Sequence, residues 1–221
     1  MIERTVGLQP KPHDYYTGHN DHILEALPSE ASRILDVGCA AGALGERIKR
    51  ARPNAVVHGI DRATDALAEA RGRLDRVFEL DLDAPLPAIE EYDCIIFGDV
   101  LEHLEDPWRV IREFTPRVPI GGHVIASIPN IRYYKVLRDL VWRGRFEYQE
   151  RGILDSTHLR FFTLHEMRHL FEQAGLRVLS TRPRICGGND LIRFLDRVSG
   201  GRFEELRAMQ YTLVGVREAT P

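Results

Sequence analysis

The chain has 221 residues, 43% of them hydrophobic and 29% charged, and a formal net charge of -3. That is the balance of one globular domain large enough to bury a core unaided, and it offers no overall basic field to hold nucleic acid. No apolar run approaches the roughly 18 residues of a membrane span. MIERTVGLQP is not a signal-peptide start, and Cys39, Cys94 and Cys186 make no zinc or disulfide pattern, so a cytoplasmic protein is expected.

Residues 1–28 read as an N-terminal cap with a helix at 20–27. Residues 33–37 (RILDV) read as a buried strand, 42–51 as a helix, 55–60 (AVVHGI) as a strand and 64–73 as a helix. Strands follow at 76–80 and 92–97, a helix at 106–115 and a strand at 122–128. Residues 129–162 break the alternation, and an excursion of that length inside a compact domain is usually functional or disordered. A helix from Thr163 to Ala174 and strands at 176–182 and 211–216 complete the chain. The alternation predicts an α/β domain with a doubly wound, parallel sheet. Its ligands would lie beyond the carboxyl ends of the strands, so the loops after residues 37, 60, 80 and 97 are expected to ring one crevice.

Those loops carry the motifs. Asp36-Val37-Gly38-Cys39-Ala40-Ala41-Gly42 follows the first strand, with glycines for a tight turn and close ligand approach. The helix behind it offers free amides and a positive dipole end. The dinucleotide fingerprint G-x-G-x-x-G does not fit, because positions 40 and 43 are both Ala. Asp61 ends the second strand, where an acid can accept from both ribose hydroxyls or simply cap the next helix. Asp81-Leu82-Asp83 follows the third strand: a carboxylate there can take an adenine amino group and Leu82 can cover the ring, or the segment is a solvated turn. Tyr92 to His103 (YDCIIFGDVLEH) then runs off the fourth strand into a short helix.

The ordered series ILDVGCAAG, GID, ELDLD and YDCIIFGDVLEHLEDP, over about residues 15–183, resembles the class I S-adenosylmethionine-dependent methyltransferases. Within them it is similar to the bacterial small-molecule branch of quinone and sugar O-methyltransferases. The resemblance implies a Rossmann-like, seven-stranded, mostly parallel sheet with an antiparallel last strand and a helical lid inserted at 129–162. It implies S-adenosylmethionine as cofactor, with Tyr16, Asp36, Gly38, Cys39, Gly42, Asp61, Arg62, Asp81, Leu82 and Asp99 at its contacts. Tyr15 and Tyr16 resemble aromatics that close over the cofactor in many members. The family usually has Gly where this chain has Ala40.

A sulfonium methyl is already activated, so catalysis can rest on positioning plus a base near neutral pH. His103, past the fourth strand, and His158, at the end of the insertion, are the candidate bases. Residues 131–160 hold seven Lys/Arg against four acids, so this +3 segment leaves -6 for the rest of the chain. With its aromatics it reads as a lid over an anionic or carrier-linked small acceptor, Tyr133, Tyr134 and Arg160 being the expected substrate contacts. Asp155-x-x-His158-x-Arg160-Phe161-Phe162-Thr163 resembles a segment of sugar and polysaccharide methyltransferases. The expected reaction is O-methylation of a sugar, glycan or natural-product hydroxyl. An RNA or protein methyltransferase gripping with the lid arginines, or a non-catalytic cofactor-binding module, are the alternatives; oligomerisation stays open.

His165-Glu166-Met167-Arg168-His169 matches the zinc-protease pattern H-E-x-x-H. A Thr163/Glu166 capping box explains the glutamate, and the apolar stripe Leu164, Met167, Leu170, Phe171 leaves both histidines on the polar flank. Asp99, Glu102 and His103 could bind a divalent ion, but ordinary helix capping accounts for them better, and metal-independent transfer is expected.

Overall fold

The computed structural model describes residues 21–186, 190–199, 201 and 203–219. Strands β1 (Arg33–Val37), β2 (Val56–Asp61), β3 (Arg76–Glu79), β4 (Cys94–Gly98), β5 (His123–Pro129), β6 (Leu176–Ile185) and β7 (Ala208–Arg217) form one sheet in the order β3-β2-β1-β4-β5-β7-β6. Neighbours from β3 to β5 pair in parallel, while β7 lies antiparallel between β5 and β6. The antiparallel strand therefore sits one place in from the edge, as the family resemblance implies. The order reverses between β1 and β4, the switch point beyond whose strand ends ligands of such sheets bind.

Period-two alternation along the strands supplies two cores. Leu35, Val37, Ile95, Phe97, Val124 and Ala126 face α4 (Pro107–Phe114) and α6 (Leu164–Gln173). Ile34, Cys94, Ile96 and Ile125 face α1 (Asp21–Ala26), α2 (Ala43–Ala51) and α3 (Thr64–Ala70). Strands with both faces covered must be apolar throughout, which is why RILDV and CIIFG read as continuous runs. Asp106 caps α4 by accepting from the Arg109 amide at 2.9 Å, and Pro107 occupies its first turn. Thr163 caps α6 by accepting from the Glu166 amide at 3.3 Å.

Two parts depart from the sequence reading. Strands β6 and β7 extend beyond 176–182 and 211–216, and the stretch between them, given no helices, contains α7 (Asp190–Val198) and α8 (Glu204–Arg207). Within 129–162, α5 (Tyr134–Arg143) is helical and buries none of its residues, whereas 144–163 is irregular. No helix among the described residues is long and apolar enough to cross a membrane.

Candidate active site

The turn after β1 is built on backbone geometry that glycine suits. Gly38 has φ 74°, and a Cβ there would meet Val100 Cγ2 at 2.3 Å, so the β1 and β4 loops can approach only without one. Gly42, also left-handed at φ 78°, is the N-cap of α2. Ala40 lies between them at φ 45°, a conformation that strains any residue with a Cβ. Cys39 departs from its expected role as a cofactor contact. Its side chain turns into the core beneath Gly59, where an added Cβ would meet Sγ at 2.5 Å, and its amide is spent on the Ile60 carbonyl at 2.9 Å.

Two carboxylates flank this turn. Asp36 is 3% exposed, and its Oδ2 has no hydrogen-bond partner among the described residues. Burial, reinforced by the charge of Asp61, pushes its carboxyl up to about 7. A buried carboxylate oxygen without a partner is costly unless a cation meets it, and the α-ammonium of the expected cofactor is such a group. Asp61 accepts from the Ala40 amide at 2.8 Å and the Ala63 amide at 2.9 Å, tying the β1 and β2 loops together. It thus fixes the amide of Ala63, the N-cap of α3, without being that helix's cap itself, and it retains lone pairs for ribose hydroxyls. Arg62 beside it is exposed.

Asp81 is exposed and accepts from the Asp83 amide at 3.0 Å. Leu82 is buried in the α4-side core, and its carbonyl accepts from Arg109 Nη2 at 2.6 Å. Asp99 follows β4 at φ 58°, strained for a non-glycine. It keeps an accessible surface, yet the protein mass around its carboxylate pushes the carboxyl up to about 6, against hydrogen bonds from Ser127 and Gln210 and the charge of Arg184. Ser127 Oγ donates to Asp99 Oδ1 at 3.4 Å, Gln210 Nε2 donates to the same oxygen, and His22 Nε2 lies 3.1 Å from Ser127 Oγ. The sequence reading named Asp99 but not His22, Ser127 or Gln210. Their one signal is a polar residue at the end of a buried strand, as Ser127 is in HVIASIP.

The two candidate bases meet. His103, in the 3₁₀ turn Leu101–His103, and His158 from the lid have ring centroids 4.6 Å apart. His103 Nδ1 lies 3.2 Å from the Thr157 carbonyl, and the buried His158 places Nδ1 2.9 Å from the Ile153 carbonyl. Glu102 is 1% exposed, neither of its carboxylate oxygens has a partner among the described residues, and burial holds it well above the usual carboxylate range, with Asp99's charge adding to the effect. Glu102, His103 and His158 are the one trio among the described residues whose ligand atoms gather as a metal would need, within 4.8 Å. The trio considered from sequence is therefore changed. His158 takes the place of Asp99, whose Oδ1 is engaged by Ser127 and Gln210.

The lid does not offer its charges as expected. Arg160 reaches the Glu105 carbonyl with Nε at 3.1 Å and with Nη2, clamping the lid's end to the loop after the 3₁₀ turn instead of presenting a free guanidinium. Arg132 pairs with Glu205, and Arg138 and Arg143 both pair with Asp139. Tyr133 is 5% exposed and donates its hydroxyl to the Cys186 carbonyl at 3.0 Å, while the ring of the half-buried Tyr134 packs 4.8 Å away. Tyr133 therefore pins the lid to the end of β6. Tyr16 and Tyr15, expected to close over the cofactor, lie outside the described residues. On α6, His165 and His169 stack at 6.4 Å on the helix surface and belong to no such trio among the described residues.

A family defined as a methyltransferase domain matches residues 13–181. A ubiquinone biosynthesis O-methyltransferase of Neisseria meningitidis serogroup C (strain 053442) is 30% identical over 185 residues, which span 79% of this chain and 73% of that protein. One from Hydrogenovibrio crunogenus (strain DSM 25203 / XCL-2) is 33% identical over 155 residues, 66% of this chain and 63% of the relative. Among solved structures, a SAM-dependent methyltransferase from Archaeoglobus fulgidus aligns with a TM-score of 0.65 at 16% identity, covering 92% of this chain and 97% of its own. An S-adenosylmethionine-dependent methyltransferase from Mesorhizobium loti gives 0.62 at 19% identity, covering 91% and 100%. Those two likenesses show the fold; the family match and the sequence relatives carry the assignment. The chain belongs to the class I S-adenosylmethionine-dependent methyltransferases, and S-adenosylmethionine is its cofactor.

Proposed function

We propose that the chain transfers the methyl group to a hydroxyl oxygen of a small, ring-bearing acceptor bound between the crevice and the lid. The kinship with O-methyltransferases of ubiquinone biosynthesis carries this reading. The acceptors considered from sequence, a sugar, a glycan end or a natural product, share a ring bearing a hydroxyl. The half-buried Tyr134 and Phe161 supply aromatic surface on the lid side, while Tyr133 is buried beneath. The anionic or carrier-linked acceptor loses ground, because Arg132, Arg138, Arg143 and Arg160 are all engaged within the protein. The same engagement weighs against an RNA or protein substrate gripped by the lid. Asp36 supports the cofactor's place: its orphaned carboxylate oxygen fits the methionyl ammonium, with Asp61 for the ribose.

The test has two arms. Calorimetry with S-adenosylhomocysteine should show micromolar binding, and its absence in a folded sample would reject the cofactor site. A panel of sugar, phenol and quinol acceptors with labelled S-adenosylmethionine should then give an ether, located by mass spectrometry. Label on nitrogen, on carbon or on added RNA would reject the reading.

The cluster of Glu102, His103 and His158 favours a second reading, in which a divalent cation held there polarises the acceptor oxygen. A chelator that abolishes transfer, with recovery on adding magnesium or manganese, would establish it in place of the metal-independent transfer expected from sequence. Metal binding by the wild type but not by Glu102→Gln would support it independently.

A further inference from the structure

Where β4 and β5 end and the antiparallel β7 begins, five residues from different parts of the fold form one polar chain. Arg184 Nη1 on β6 donates to Gln210 Oε1 at 3.2 Å, and Gln210 on β7 donates to Asp99 Oδ1. Ser127 on β5 donates to the same oxygen, and His22 in the first turn of α1 completes the row at 3.1 Å from Ser127 Oγ. Ser127 is 0% exposed and Gln210 6%, whereas His22 is half-buried and so partly accessible. The two buried members, Ser127 and Gln210, are hydrogen-bonded on both sides, so the row holds the His22 ring in place from below. The core beneath α1 is filled by Ile23, Ala26 and Leu27 and does not require an imidazole above it.

The hydrogen-bond directions fix which nitrogen is basic. Asp99 has already drawn the Ser127 proton toward itself, so Ser127 Oγ faces His22 as an acceptor. His22 Nε2 must therefore carry a hydrogen, which leaves Nδ1 as the basic atom. Burial, helped by the charge of Arg184 and opposed by Glu25, holds the imidazole below its usual value. Arg182, whose Nη1 donates to the Glu25 carbonyl at 3.3 Å, and Asp99 are the other charges around it.

We propose that His22 is the catalytic base, taking the acceptor's hydroxyl proton on Nδ1; this rests on the oxygen-transfer reading above. The cofactor supplies the methyl, whose bond to sulfur breaks with its electron pair left on sulfur as a lone pair of oxygen forms the new carbon–oxygen bond. The proton freed from that oxygen moves to Nδ1, so one positive charge leaves the sulfonium and one appears on the imidazole. Ser127, backed by the Asp99 carboxylate, receives the Nε2–H of the resulting imidazolium. The partly accessible His22 then returns the proton to solvent. His22 thereby stands beside His103 and His158, the bases that sequence alone offered, whose Nδ1 atoms donate to backbone carbonyls.

The experiment combines imidazole NMR on the cofactor-free protein with pH–rate profiles. The His22 resonances, identified by their loss in His22→Gln, should show the Nε2–H tautomer and titrate below the usual histidine value. Ser127→Ala should alter that tautomer balance. The kcat/KM of the wild type should fall in acid with the His22 titration. His22→Ala and His22→Gln should lose that acid limb and about 10²–10⁴-fold in rate, with S-adenosylhomocysteine affinity unchanged. Full-rate oxygen transfer by His22→Ala, an acid limb that survives in it, or a proton on Nδ1 in the neutral enzyme would overturn His22's role alone. Methyl found on nitrogen or carbon would overturn the oxygen-transfer reading and His22's role with it.

Discussion

At the scale of single residues, the cofactor turn shows what one methyl group costs. Ala40 occupies φ 45°, where a Cβ crowds the following carbonyl. Relief of that crowding, worth about 1–2 kcal/mol, is partly offset by the extra freedom of an unfolded glycine, about 0.5–1 kcal/mol. Ala40→Gly should therefore raise the stability of the ligand-free protein by about 0.5–1 kcal/mol in urea melts. An unchanged or lower midpoint would show that the loop relaxes around the alanine without strain. Asp61 acts through two bonds at once. It holds the Ala40 and Ala63 amides while facing the ribose position. Asp61→Ala should lose about 1.5–3 kcal/mol of S-adenosylhomocysteine binding, the scale of charge-assisted hydrogen bonds. Unchanged affinity would reduce Asp61 to a loop tie. Asp36, Gly38, Asp61 and Asp99 were legible because each ends or follows an apolar strand. His22, Ser127 and Gln210 were not, because their juxtaposition exists only after β7 inserts beside β5 and α1 folds over the sheet.

At the scale of elements, the parallel strands announced themselves because both of their faces are covered and their sequences are correspondingly apolar. Strand β7 carries a different constraint. It lies between β5 and β6, and α6 crosses it so closely that a Cβ on Gly215 would meet Phe171 Cδ1 at 2.6 Å. The ring is fully buried and has little room to yield. Gly215→Ala should then cost about 1–3 kcal/mol of stability through overpacking, read from the urea midpoint. A neutral result would mean that α6 can shift outward. The lid was legible as an insertion but not in its wiring. Opposite charges close in sequence, such as Arg138, Asp139 and Arg143, satisfy one another, and Arg160 finds a backbone carbonyl that composition does not reveal. A net charge of +3 over 131–160 consequently describes the segment's balance and not a surface prepared for anions.

At the scale of the whole molecule, ligand binding and folding stability oppose each other through Asp36. Its carboxyl sits at about 7 in the folded protein against the ordinary value of 3.8, so between these limits the folded state holds a proton that the unfolded state has released. Stability from this group is complete below the unfolded value and is lost as pH rises through about 7. Other groups change with pH as well. His22 and His58, lowered mainly by burial, gain stability as pH rises toward the ordinary imidazole range, and Asp99 at about 6 follows the sign of Asp36. A difference between wild type and Asp36→Asn cancels these shared contributions. Between pH 5.5 and 7.5 the ligand-free wild type should lose roughly 1–2 kcal/mol relative to Asp36→Asn in urea melts. S-adenosylhomocysteine should reverse the trend, because its ammonium pairs with the ionised carboxylate; it should therefore stabilise the wild type more at pH 7.5 than at pH 5.5, whereas Asp36→Asn should show no such gain. Parallel pH curves for the two proteins, with and without ligand, would mean that Asp36 is ionised and satisfied throughout and that the cofactor's ammonium is held elsewhere.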